Sequence, residues 1–299
     1  MSASSRTRHR GACAAFGLGL LALLAGCASA PRRAPESYGG YREPAGGAGG
    51  RYAQAQDGGP GAPPIDVNAI PEPVPKVEPR SRFGNAPTYT VNGRTYHVLA
   101  SAAGYDERGI ASWYGNKFQG YLTSSLEPYD MYKFTAASKV LPLPSYARVT
   151  NLANGRSVIV RVNDRGPFVA NRIIDLSYAA AVKIGIWAQG TGLVEVQGID
   201  PSRPQDLPAP PAVAARGAAP VLYLQVGAFA ERANAARVAA RLRQAGFDNV
   251  HVTEAVVHGR RVLRVRLGPL RGVAEADRLS PRVQALGLPE PQVAVDTSQ

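Results

Sequence analysis

The sequence predicts two folded domains of different class on one chain: a mainly β, barrel-like domain, then a smaller α+β domain. Between residues 89 and 200, short apolar-alternating runs follow one another at turn-sized spacings, with one or two small helices, the pattern of a compact β-barrel. From residue 220 the order becomes strand, helix, strand, strand, helix, strand, which suits a ferredoxin-like βαββαβ sheet with both helices on one face. Stretches rich in glycine and proline (32 and 25 residues in all) separate these parts, so less of the chain is folded than 299 residues would suggest.

The N-terminus reads as an address. Arg6, Arg8 and Arg10 precede an uncharged apolar run from Ala12 to Leu24, which is short for a membrane span and has the length of a signal-peptide core. The run ends in Leu24-Ala25-Gly26-Cys27, which resembles a bacterial lipobox. Residues 1–26 are expected to be a removed signal and Cys27 to be acylated; an ordinary secretory cleavage after Ala28 or Ala30 is the alternative. Cys13 lies in the removed segment, so no disulfide can form within the mature chain. Several acyl chains on Cys27 would hold the protein firmly to a membrane. No Asp follows Cys27, and the usual sorting rule then points to the outer membrane. A net charge of +12 suits anionic partners: nucleic acid, a membrane surface or a cell-wall polymer. Export argues against nucleic acid.

Residues 27–84, with paired glycines from Gly39 and a proline run from Pro71 to Pro79, read as a disordered tether. About 50 such residues would span roughly 40 Å as a coil and on the order of 150 Å as drawn-out polyproline.

The barrel domain is placed at residues 85–200. Asn92-Gly93 sits between β-rich flanks as a hairpin turn. Residues 109–115 form an aromatic strand closed by glycine, and residues 123–130 a polar loop. Residues 147–152 and 156–163 are strands around Asn154-Gly155. Ser177 caps a short Ala-rich helix that Gly185 ends, and residues 192–198 make a last strand. In Val158-Ile-Val-Arg-Val-Asn-Asp164-Arg-Gly-Pro167, Val158, Val160 and Val162 share one buried face, and Asp164 continues that parity to the point where Gly166-Pro167 stops the strand. A carboxylate at the rim of an apolar interior suits acid/base work; a turn-forming aspartate is the plain alternative.

Gly109-Ile-Ala-Ser-Trp-Tyr-Gly115, Thr135-Ala-Ala137, Arg148-Val-Thr-Asn-Leu152, Val162-Asn-Asp-Arg-Gly-Pro-Phe168 and Arg172-Ile-Ile-Asp-Leu-Ser177 occur in one order and spacing. Together they resemble the rare lipoprotein A family. The resemblance implies a double-psi β-barrel. It also implies a lytic transglycosylase that cuts MurNAc–GlcNAc bonds of peptidoglycan without water, leaves a 1,6-anhydro end, and prefers glycan strands stripped of stem peptides. Such a reaction needs a carboxyl group that protonates the leaving oxygen and then takes the C6 hydroxyl proton, plus a second carboxylate to support the developing charge. The resemblance maps these onto Asp164 and Glu127. Tyr114, Ser138, Asn163 and Arg165 are expected to contact the glycan, with Arg165 turned away from Asp164 by strand alternation.

Three positions depart from the family pattern. Ser138 and Gln119 stand where histidines are usual, and serine cannot shuttle a proton near neutral pH. Leu126 replaces a glycine, so the Glu127 loop is expected to sit differently. These departures keep open a second reading, a catalytically inactive septal glycan-binding lipoprotein. No metal site is indicated, because no two of His9, His97, His251 and His258 have ligand spacing, and no cofactor is expected.

Residues 201–219 are a Pro/Ala linker and residues 220–297 the α+β domain. Gln225-Val-Gly-Ala-Phe229 and Arg264-Val-Arg-Leu-Gly268-Pro269 resemble a SPOR domain, a family that binds denuded septal peptidoglycan. Strand parity places Leu222, Leu224, Val226, Leu263, Val265 and Leu267 against the helices, and Tyr223, Gln225, Phe229, Arg264 and Arg266 on the open face as glycan contacts. Ser280-Pro281 is expected to interrupt the second helix.

Overall fold

The structure, a computed structural model, describes residues 58–59, 65–203, 220–257 and 259–296. All of them belong to one compact unit, residues 48–299. The expected signal, Cys27, most of the tether and most of the linker lie outside the described residues.

A hairpin of β1 (Thr88–Val91) and β2 (Arg94–His97) turns at Asn92-Gly93, as the sequence predicts. The closed barrel follows, from β3 (Asp106–Tyr114), β4 (Thr135–Ser138), β5 (Ser145–Asn151), β6 (Ser157–Asp164), β7 (Arg172–Ser177) and β8 (Thr191–Ile199), in the order β3-β7-β4-β6-β5-β8. Two pairs are parallel, β3 with β7 and β4 with β6; the other four are antiparallel. Inside lie Ala111, Ala136, Ala147, Val149, Val158, Val160, Val162, Ile174, Leu176, Val194 and Val196, each at most 1% exposed. Helix α1 (Tyr178–Ile184) packs its alanines on this core. Ser177 Oγ accepts from Ala180 N at 3.3 Å at its start, and Gly185, at φ 78°, ends it.

Two parts of the sequence reading need correction here. Residues 65–84 are not free tether: Ile65, Val67 and Ile70 pack against the barrel core, and Ser81 N donates to Leu143 O at 2.9 Å. The segment is a strap along the barrel wall. Asp164 also leaves the parity of Val158, Val160 and Val162. Val162 opposes Ala136 but Asp164 opposes Ala137, so two residues of β6 advance against one of β4. This bulge turns Asp164 out of the core row and onto the side of Ala137, a use of bulges common beside active sites.

The second domain is a four-stranded antiparallel sheet, β10-β11-β9-β12, with helices α2 (Arg232–Gln244) and α3 (Val273–Ala285). Its strands are β9 (Val221–Phe229), β10 (Val250–Val257), β11 (Arg260–Leu270) and β12 (Gln292–Asp296). Leu222, Leu224, Val226, Leu263, Val265 and Leu267 are buried as expected. Helix α3 is continuous through Pro281, contrary to expectation. Burial of Ala276, Ser280 and Val283 against the sheet outweighs the backbone hydrogen bond that proline forgoes. Helix α3 also meets the barrel: Asp277 accepts from both terminal nitrogens of the buried Arg172, at 2.7 and 3.0 Å, and Asn171 donates to Ser280 Oγ at 2.9 Å.

Candidate active site

The site gathers on the outer face of the barrel, where β6 ends. Asp164 Oδ1 accepts from Ser124 N (2.8 Å), Ser124 Oγ (2.6 Å) and Arg165 N (2.7 Å). Three donors converging on one oxygen suit an ionised, acceptor-only carboxylate. Ser124 belongs to the loop that carries Glu127, so both candidate carboxylates hang on one frame. That loop is tied by Thr123 N to Glu127 O at 2.8 Å, Leu126 N to Thr123 O at 2.9 Å and Ser125 N to Asn163 O at 3.3 Å. Beneath it the strap passes so closely that a Cβ on Gly84 would lie 2.9 Å from Ser124 O, and Gly84 itself has φ +72°.

Leu126 holds φ 64°. The loop therefore holds a left-handed turn without a glycine, at a backbone strain of about 1–2 kcal/mol.

Glu127 is gripped by Arg161, whose two terminal nitrogens reach its two oxygens at 2.6 and 2.9 Å, and by Asn163 Nδ2 at 2.9 Å. Burial pushes the Glu127 carboxyl up, but the hydrogen bonds from Arg161 and Asn163 together outweigh it and hold the group below its ordinary range. Arg161 also holds Glu78 of the strap at 3.0 Å through two nitrogens, and that bond is the main cause keeping Glu78 low. One guanidinium between two carboxylates leaves this cluster one negative charge. A fixed anion of this kind stabilises positive charge that develops beside it. The sequence reading missed Arg161, Glu78 and Ser124. The signal for Arg161 was present: it is a cation within an otherwise apolar strand.

The other expected glycan contacts are placed differently. Tyr114 is buried, with its ring stacked on Tyr129 at 4.2 Å, so its body is core. Ser138 is 1% exposed, and its Oγ accepts from Val140 N and Leu141 N, a turn duty that leaves it off the surface. Asn163 is buried and serves Glu127. Arg165 lies just past the end of β6. Its guanidinium donates to Gly84 O (2.7 Å), Ser138 O (3.0 Å) and Leu141 O (2.5 Å), so it clamps loops rather than facing a substrate. Gln119 takes Met131 N at 2.8 Å and braces the same loop.

On the second domain, Gln225, Arg264 and Arg266 keep the open face, but Phe229 does not. Between Val265 and Arg266 the register with β9 slips, so that Val265 opposes Gly227 and Arg266 opposes Gln225. Phe229 consequently opposes Leu263 and packs against the core side. Arg266 is 7% exposed, engaged by Asp296 at 2.7 Å and lying 5.5 Å from the Tyr223 ring centre.

A closed six-stranded barrel with two carboxylates at its rim, joined to a helix-backed antiparallel sheet, defines a class. Residues 106–197 match the double-psi β-barrel family model described as lytic transglycolase, and residues 218–294 match the SPOR domain model. The chain is 39% identical over 331 residues to the endolytic peptidoglycan transglycosylase RlpA of Pseudomonas aeruginosa, covering 93% of this chain and 95% of that protein. It is 51% identical over 156 residues to the RlpA of Vibrio cholerae, covering 52% of this chain and 59% of that one. A solved SPOR domain of P. aeruginosa RlpA is 33% identical, covers 24% of this chain and 96% of that one, and gives a TM-score of 0.23. The chain belongs to the RlpA family of lytic transglycosylases.

Proposed function

We propose that the protein cleaves MurNAc–GlcNAc β-1,4 bonds in peptidoglycan strands that have lost their stem peptides, working at the division septum from a lipid anchor at Cys27. The observation that bears most on the chemistry is the shared frame of Asp164 and Glu127, in which Ser124 bonds one carboxylate and the next turn presents the other. Asp164 protonates the leaving O4 of GlcNAc as the C1–O bond breaks. It then accepts the proton of the C6 hydroxyl as that oxygen bonds to C1. Glu127, kept anionic by Arg161 and Asn163, stabilises the oxocarbenium-like charge on the ring. The naked-strand preference and the septal address rest on the SPOR resemblance, with Gln225 and Arg264 as contacts and peptidoglycan as the partner. The outer-membrane address rests on the lipobox alone.

The test uses full-length protein and its Cys27→Ala variant, incubated with intact and with amidase-treated peptidoglycan. Mass spectrometry is expected to find 1,6-anhydro fragments mainly from the amidase-treated polymer. Asp164→Asn should abolish them and Glu127→Gln reduce them on the order of a hundredfold, while the Cys27 variant leaves the membrane fraction with its activity intact. Glycan that is bound but never cut would favour the inactive scaffold, the reading for which the serine at position 138 speaks.

A further inference from the structure

The strap is tied to both candidate carboxylates and carries a tip between the ties. Glu78 is joined through Arg161 to Glu127, and Gly84 lies against Ser124, whose N–H and hydroxyl both bond Asp164. The turn from Ser81 to Asn85 is pinned at its two ends. Ser81 N donates to Leu143 O at 2.9 Å, and Asn85 Nδ2 donates to Ser81 O (2.9 Å) and Leu143 O (2.6 Å). Gly84 O accepts from Arg165 Nε at 2.7 Å, and Phe83 N donates to Ser81 Oγ at 3.1 Å. A turn held in this way keeps its tip in one place. The tip residues, Arg82 and Phe83, are both exposed, Phe83 by 47%. Arg82 forms no hydrogen bond or ion pair among the described residues, whereas Arg80, Arg161 and Arg165 all donate to acceptors. A single exposed phenylalanine is ordinary on a protein surface. Here it is fixed beside an uncommitted cation, one residue from the glycine that touches the Asp164 frame.

We propose that Arg82 and Phe83 form a specificity-determining subsite: Arg82 pairs with the free lactyl carboxylate of a MurNAc, and the Phe83 ring covers the apolar face of a sugar in the same strand. This rests on the cleavage of stripped glycan strands proposed above. Removing a stem peptide by amide hydrolysis turns the lactyl carbonyl from a neutral amide into a carboxylate. A stripped strand therefore carries a negative charge on each MurNAc at a position where an intact strand is neutral and bulky. The groove alone would repel that charge. Two carboxylates against one guanidinium leave the Glu127, Glu78 and Arg161 cluster with one negative charge, and Asp164 adds another carboxylate. A cation on the wall offsets this repulsion, and Arg82 supplies one that no protein group occupies. Its planar fork can take both oxygens of a carboxylate, which no amide can match. A flat aromatic ring suits the C–H face of a sugar and costs little ordering. The strap lies outside residues 106–197, the part matched by the barrel family model, so this selectivity is added to the barrel by a segment packed on its wall.

The test measures kcat and KM for release of 1,6-anhydro ends from stripped strands, either native or with their lactyl carboxylates converted to neutral methylamides. The proteins are the full chain and its Arg82→Ala, Arg82→Lys and Phe83→Ala variants. Arg82→Ala should raise KM about fivefold on the native strand with little change in kcat. The unsubstituted chain should lose the same factor on the methylamide strand, and Arg82→Ala should lose nothing more there. Arg82→Lys should recover part of the loss, and high salt should shrink it. Phe83→Ala should raise KM about fivefold on both strands. An Arg82→Ala penalty of equal size on the two strands, or none on either, overturns the pairing. An unmoved KM in Phe83→Ala overturns the stacking. Calorimetric binding of a short stripped glycan to Asp164→Asn protein gives a readout without turnover. If the unsubstituted chain releases no anhydro ends while that binding still depends on Arg82 and on the carboxylate, the transglycosylase reading fails and the subsite stands.

Discussion

Leu126 shows how a single residue can look disabling in sequence and be accommodated in structure. Its φ of 64° is a conformation that leucine tolerates at a cost and β-branched residues scarcely tolerate at all. The cross-loop bonds around Thr123 and Asn163 hold it there. Leu126→Gly should therefore leave the melting temperature within about 2 °C or raise it, because relieved strain and added chain entropy nearly cancel, with kcat/KM undiminished. Leu126→Ile should cost about 1–2 kcal/mol and lower kcat/KM by misplacing Glu127. Paired melts and rate assays check this, and equal behaviour of the two variants would mean that the turn is not strained. Asp164 stood out because the Val162–Phe168 motif surrounds it, whereas Glu127 was reached only through the family resemblance. The tasks of Ser138, Asn163 and Arg165 were not legible, because a hydroxyl that caps a turn and one that meets a sugar look alike in sequence. Only the buried, bonded state of each side chain separates the two.

At the scale of elements, the sequence read strands from alternation, and alternation fails wherever a bulge adds a residue. The bulge in β6 moved Asp164 out of the core row, and the slip between β9 and β11 moved Phe229 to the core side. Neither bulge leaves a mark in composition. The strap at residues 65–84 was hidden for another reason. Proline-rich chain has few apolar residues, and of these Ile65, Val67 and Ile70 dock while Val74, Val77 and Phe83 stay exposed. Glu78 then reaches Arg161 and Tyr146, and Glu72 accepts from Ile159 N at 3.1 Å. A chain beginning at residue 85, the expected domain boundary, should melt on the order of 10 °C below one beginning at residue 58. It should also turn over more slowly, because Arg161 would have lost one of its two anchors. Equal melting temperatures in differential scanning calorimetry would show the strap to be incidental.

At the scale of the molecule, the two-domain plan was the most legible feature, since periodicity and the two motif sets agree on it. The join was invisible. Arg172 opens a barrel motif, yet its guanidinium is engaged by Asp277 of the second domain, so one residue serves both β7 and the interdomain contact. The central claim is that this assembly cuts a glycan without water. The most direct test runs the reaction on amidase-treated peptidoglycan in water labelled with heavy oxygen. The C6 oxygen of the sugar is the attacking atom, so 1,6-anhydro ends should form carrying no label. Reducing MurNAc ends that carry the label would show that water attacks C1, and would contradict the account.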